Sequence, residues 1–252
     1  MLYMLLALVL SALVGVSLGL LGGGGSILAV PLFVYVAGLE VRVAVAMSLA
    51  VVGTIALLAS LVYVCHGRVA WRAAALFGLS GMLGAGLGAR LTPLLAPRLL
   101  LLLFALIMLV VGGLMVRARH TDEHASAQRR GTRLPTVLAT GLAVGILTGF
   151  LGVGGGFLIV PALTLFAQLP IHVAVGTSLL VIAANSAAGL ASHLSETSVP
   201  LGLTLGFTAT AVIGALAGEW AARRTSPARL RRAFGVFVLL VGLALAVANL
   251  HY

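Results

Sequence analysis

Residues 19–31 read G-L-L-G-G-G-G-S-I-L-A-V-P, and residues 149–161 read G-F-L-G-V-G-G-G-F-L-I-V-P. The offset is 130 positions and holds without a gap: Val14–Thr54 against Val144–Ala184 gives 18 identities in 41 positions. The same offset later pairs Gly84 with Gly214, Gly88 with Gly218, Pro97 with Pro227, Phe104 with Phe234 and Gly112 with Gly242. A biased composition produces chance Leu and Ala matches, but it does not keep glycines and prolines in register. The chain is a duplicated unit, and each copy carries a glycine-rich break inside apolar sequence. In a membrane protein, matched breaks of this kind point to a substrate site where the repeats meet.

Composition sets the class. With 62% apolar residues, 8% charged residues and a mean hydropathy of +1.23, the chain has too little charge for a soluble domain of its length. Its apolar runs are continuous and of spanning length, which favours membrane helices over the alternating strands of a barrel. The net charge of +10 comes from arginine alone, since the sequence has no lysine. These arginines sit between apolar runs, so they read as topology and headgroup contacts rather than nucleic-acid contacts. The single cysteine, Cys65, excludes an internal disulfide. The N-terminus lacks the basic region of a signal peptide and reads as the first membrane helix.

Apolar segments run over 2–21, 25–38, 43–64, 70–89 and 98–116, then 134–151, 155–169, 173–192, 199–221 and 232–250. The expected organisation is a first transmembrane repeat, 1–116, a basic linker, 117–133, and a second repeat, 134–252. The second segment of each copy is short: the 14 residues of 25–38 make a helix of about 21 Å against a hydrocarbon core of about 30 Å. A short segment after a glycine run has the form of a broken or re-entrant helix hairpin. If each hairpin returns to its own side, a copy crosses the membrane an odd number of times and the second copy is inverted. The linker, Arg68, Arg72, Arg223, Arg224, Arg229, Arg231 and Arg232 then share one side, leaving Arg42, Arg90 and Arg98 on the other. That obeys the positive-inside rule, placing the linker in the cytoplasm and both termini outside. Four net crossings per copy would split the arginines almost evenly.

The glycine runs suggest the chemistry. Gly22, Gly23, Gly24, Gly25 and Ser26 precede a helix expected to start near Ile27, and Gly152, Gly154, Gly155 and Gly156 precede one near Phe157. Glycine admits positive φ and close approach to a ligand. Helix starts offer unpaired N–H groups and the positive end of the dipole, so two such starts facing each other can hold a small oxyanion without an arginine. The plainer alternative is close helix packing through small residues. Ser48 and Ser178 occupy equivalent positions, with Thr177 beside the second. Their hydroxyls are candidate donors, or else bond their own helix carbonyls. Asn185, opposite the apolar Ile55 in the repeat, is a candidate substrate contact or a bridge between helices. His66 and His193, near segment ends, are candidate proton carriers, with interfacial placement as the alternative. Glu219 is expected to pair with Arg223 at i,i+4, and Trp71 and Trp220 to anchor at the interface.

The pattern G-x-x-G-x-G-G-(G/S)-x-x-x-V-P, followed by A-V-(A/G)-x-S-L, resembles the TauE/SafE family of sulfite exporters. Both halves carry it, so the resemblance covers almost the whole chain. Val175-Gly176-Thr177-Ser178-Leu179 matches the second-half motif. The first half, Val45-Ala46-Met47-Ser48-Leu49, departs from it with Met47 in place of Thr. His66-Gly67-Arg68-Val69 is similar to the family's H-x-G-x-V stretch. The resemblance implies a bacterial cytoplasmic-membrane permease for sulfite or related sulfur-containing or organic anions.

The expected function is secondary transport of a small oxyanion, sulfite foremost and in the export direction, by alternating access. The alternatives are a passive anion channel and a permease for an organic sulfonate or carboxylate. The expected partners are the anion, the lipid bilayer and other copies of the chain in a homo-oligomer. No nucleic acid, metal or cofactor is expected. Without lysine the chain has no P-loop for ATP. An intramembrane hydrolase using Ser178 and His193 is disfavoured, because 15 residues of helix separate them by about 22 Å.

Overall fold

The computed structural model describes residues 2–91, 97–117, 134–151, 156–193 and 200–250. Every element among them is helical, in keeping with continuous apolar runs whose backbone groups have no water to bond in lipid. The first copy contains α1 (Leu2–Leu21), α2 (Ser26–Pro31), α3 (Val41–Cys65), α4 (Trp71–Leu91) and α5 (Pro97–Arg117). The second contains α6 (Leu134–Leu151), α7 (Gly156–Pro161), α8 (Ile171–His193), α9 (Leu201–Arg224) and α10 (Pro227–Leu250). Four stretches among the described residues are long and apolar enough to cross a membrane: Val43–Cys65, Ile171–Ala191, Gly202–Arg224 and Pro227–Val247.

One boundary corrects the expectation. The stretch 223–232 is not a loop throughout, because α10 begins at Pro227. Proline suits the first helical position, where no N–H partner is needed. The Ser226 carbonyl accepts the Leu230 N–H at 3.0 Å, so Arg229, Arg231 and Arg232 lie on helix. Of the linker 117–133, only Arg117 lies within the described residues.

The long helices pack in pairs drawn from different copies, and contacts at glycine give their directions. Gly15 lies against Ala211 and Gly19 against Ala215, so α1 and α9 run parallel. Phe77 meets Gly141 and Gly81 meets Gly145, so α4 and α6 also run parallel. Along α3 and α8 the order reverses: Leu49 meets Gly189, Gly53 meets Ser186 and Tyr63 meets Gly176. The α5 and α10 pair is antiparallel too, with Met115 against Gly235 and Met108 against Gly242. At the α1–α9 and α4–α6 crossings a methyl group would overlap the facing backbone, so glycine sets how closely those axes approach. The contacts recur at the offset of 130: Gly15 with Ala211 becomes Gly145 with Gly81.

These directions gather the arginine-rich ends. The end of α3, the start of α4, the end of α9 and the start of α10 share one end of the bundle with the end of α5 and the start of α6. At the opposite end lie the end of α4 and the start of α5. The outer surface is strongly apolar. Leu79, Leu83, Leu205, Ile213 and Leu240 are 62% to 70% exposed, a surface suited to lipid rather than water.

Candidate functional site at the hairpin tips

The first copy turns back through glycine. After α1 the chain passes Gly22, at φ 74, whose N–H still donates to the Leu18 carbonyl at 2.8 Å. Gly23–Gly25 then form one tight turn of 3₁₀ helix, which leads straight into α2 at Ser26. The turn folds back onto α1, because a Cβ on Gly25 would come within 2.6 Å of the Val14 carbonyl and 2.8 Å of the Leu18 nitrogen. After Pro31 and Pro161 the helices widen into π turns, Leu32–Val36 and Ala162–Phe166. Both close with the same pair of bonds. In the first copy Ala37 N–H donates to Leu32 O at 3.1 Å and Leu39 N–H to Phe33 O at 3.0 Å. In the second, Ala167 N–H donates to Ala162 O at 3.2 Å and Leu169 N–H to Leu163 O at 2.9 Å. In the first copy α1 and α2 thus form a short hairpin, with α2 starting at Ser26 rather than Ile27.

The first hairpin tip meets the start of α7. Gly23 packs directly on the Gly156 carbonyl, leaving no room for a side chain. A Cβ on Gly156 would lie 2.7 Å from Ser26 Oγ and 3.1 Å from Ile182 Cδ1. Gly22 reaches across to α8, where a Cβ would lie 2.8 Å from Ser178 Oγ. Gly24 is covered more loosely by the Phe237 and Phe234 rings of α10, at 3.3 Å and 3.6 Å. The first tip and the start of α7 are thus in packing contact, and Gly22, Gly23, Gly24, Gly25 and Gly156 are all buried. Gly152, Gly154 and Gly155 lie outside the described residues.

The hydroxyls take the local option in this conformation. Ser48 donates to Val45 O at 2.8 Å, Ser178 to Val175 O at 2.8 Å and Ser26 to Gly23 O at 2.7 Å. Thr177 Oγ1 accepts the Ala70 N–H at 3.0 Å, tying α8 to the turn before α4. Ser178 and Ser26 touch the tips, whereas Thr177 serves the neighbouring turn. Sequence reasoning missed Ser17. Its buried Oγ has no partner and faces Gly25 from α1. Its counterpart in the second copy is Leu147, so a search for matched pairs passes over it.

Asn185 stands apart from the tips. It lines a cavity of about 360 Å³ between α4 and α8, with Trp71, Ala74, Gly78, Met82 and Val181 among the walls. None of the lining residues belongs to a hairpin. The buried Asn185 Oδ1 has no partner.

At the arginine-rich end, α3 stops in a Schellman motif with Gly67 at φ 65. Arg68 N–H donates to Tyr63 O and Gly67 N–H to Val64 O, both at 2.9 Å. The expected Glu219–Arg223 pair forms at 2.6 Å, with Glu219 buried. The structure adds His66, which contacts Arg223 Nη1 through Nε2 at 2.9 Å. Tyr63, also missed from sequence, donates its hydroxyl to Gly19 O on α1 at 3.4 Å. Trp71 and Trp220 are exposed near this end, and Arg224 stacks 3.9 Å above the Trp220 ring. His193 is the last residue of α8.

Known membrane transporter proteins resemble the chain over most of its length. A "Probable membrane transporter protein" of Xylella fastidiosa is 37% identical over 235 residues, covering 92% of this chain and 90% of that protein. The probable membrane transporter protein YunE of Bacillus subtilis is 24% identical over 256 residues, covering 93% and 94%. No solved structure matches the chain. With its apolar spans, the chain is a multi-pass membrane transporter. The family model described as Sulfite exporter TauE/SafE matches residues 7–245, and the chain belongs to that family.

Proposed function

We propose that this chain is a secondary transporter that exports a small oxyanion, sulfite or a related sulfur-containing anion, across the bacterial cytoplasmic membrane. The carrying observation is the contact of the two glycine hairpins, Gly23 on Gly156, where the copies meet. The first glycine turn and the start of the second hairpin's return helix at Gly156 supply N–H donors, and Ser17 adds a buried hydroxyl without a partner. Ser178 and Ser26 adjoin the same place, and their hydroxyls can be recruited when the tips part. The packed tips correspond to a closed state. Alternating access separates them on one side and then on the other.

Two observations support reading the copies as an inverted repeat. Interhelical contacts recur at the offset of 130, and the equivalent helices α3 and α8, like α5 and α10, run antiparallel. That is the relation given by a two-fold axis lying in the membrane plane. The gathering of arginines at one end supports a cytoplasmic placement of that end, with both termini outside. An inside-negative potential then helps export by about 2.3 kcal/mol per charge per 100 mV.

The test is sulfite flux in proteoliposomes, with sulfate, thiosulfate and an organic sulfonate as competitors. Saturable sulfite flux, inhibited by some competitors and not others, is expected. Absence of flux for every anion, from protein shown to be folded, refutes the reading. Currents far above carrier turnover would identify a channel instead.

A further inference from the structure

We propose that His66 is a proton-binding site whose neutral form latches the arginine-rich mouth of the transporter shut. The hydrogen bonds dictate the tautomer. The Val62 carbonyl can only accept, so the 2.7 Å contact with His66 Nδ1 requires a proton on Nδ1. The Arg223 guanidinium can only donate, so its 2.9 Å contact requires a bare Nε2. An imidazole with one N–H and one lone pair is neutral. A second proton would set an N–H against an N–H donor and place two cations side by side. The contact and the protonated ring therefore exclude each other.

The contact also lies where it can control access. His66 follows the end of α3 and Arg223 closes α9, so the bond joins residues 157 positions apart and from different copies. Three residues before His66, Tyr63 holds α1 at Gly19, just ahead of the Gly22 turn. Four residues after it, the Ala70 N–H is held by Thr177, beside the Ser178 that touches Gly22. Releasing His66 from Arg223 frees the α3 end and the following turn from α9, next to the first hairpin tip. The charged and titratable groups on the surrounding elements at this end are Tyr63 and Cys65 on α3, Arg68 in the turn, Arg72 on α4, His172 at the start of α8, and Glu219, Arg223 and Arg224 on α9. Of these, Glu219 already engages Arg223, and Arg224 stacks on Trp220. Arg223 stays paired with Glu219 when His66 leaves, so the latch can open without leaving Glu219 unpaired. A proton arriving on this side thus favours the open mouth, and an open mouth favours the proton by the same factor.

The consequence for transport rests on the proposed function, but the link between the proton and the helix ends does not. The test therefore reads the distance directly. Spin labels are placed on Cys65, the native exposed cysteine, and on Ser226→Cys, and their separation is measured by pulsed electron resonance in lipid nanodiscs. Between about pH 8 and about pH 5.5 the long-distance to short-distance ratio is expected to rise about fivefold. His66→Gln, whose amide oxygen still accepts from Arg223, should stay short at both pH values. His66→Lys, permanently charged, should be long at both. The same pH response in His66→Gln, or no response with His66 present, overturns the proposal. A His66-dependent shift in protein that moves no anion leaves the proton site standing and removes only its role in transport.

Discussion

At Gly23 and Gly25 backbone occupies the space a side chain needs, at Gly22 the Ser178 and Val160 side chains do, and at Gly24 only aromatic ring edges do. This difference separates packing from function. Gly23→Ala should lower stability by about 3 kcal/mol, since backbone on both sides must move. Gly24→Ala should cost under about 1 kcal/mol, because the Phe237 ring can shift. Thermal unfolding in detergent compares the two. The hairpin ends give a second contrast. Gln168 sits at φ 55 where the first copy has Gly38 at φ 67, and a non-glycine residue there is strained. Gln168→Gly should raise stability by about 1 kcal/mol, and Gly38→Gln should lower it by a similar amount. Asn185 is a third case: replacing its unpartnered buried oxygen with Asn185→Leu should raise the unfolding midpoint by the equivalent of about 1 kcal/mol.

Between elements, the Glu219–Arg223 pair is the polar contact most exposed to mutation. Arg223→Ala leaves Glu219, which is 2% exposed, without its partner, at a cost of about 3 kcal/mol. Adding Glu219→Gln should recover most of that loss, as the same unfolding assay can show. Helix positions were largely legible in the sequence because glycine, proline and arginine punctuate the apolar runs. The start of α10 was misread, since Arg229, Arg231 and Arg232 look like a loop when Pro227 is not weighed as a first helical residue. The Glu219–Arg223 spacing could be read directly. The third member, His66, could not, because nothing local signals a contact across 157 positions. Ser48 and Ser178 show the converse limit: their symmetry was visible, but the choice of their own helix carbonyls over a ligand was not.

For the whole molecule, the duplication at 130 carried the most information, because it marked the hairpins before any contact was known. The tip contact then places Ser26 Oγ 2.7 Å from where a Gly156 Cβ would stand, close enough for a short bridge. The most direct measurement is sulfite flux through a Ser26→Cys, Gly156→Cys double variant in a Cys65→Ser background, before and after bridging the two thiols with dibromobimane. A thioether bridge is chosen because sulfite cleaves disulfides. If the tips must part to pass the anion, the unbridged variant transports and the bridged protein does not. Equal flux before and after, with the bridge verified by mass spectrometry, would contradict a pathway between the hairpins.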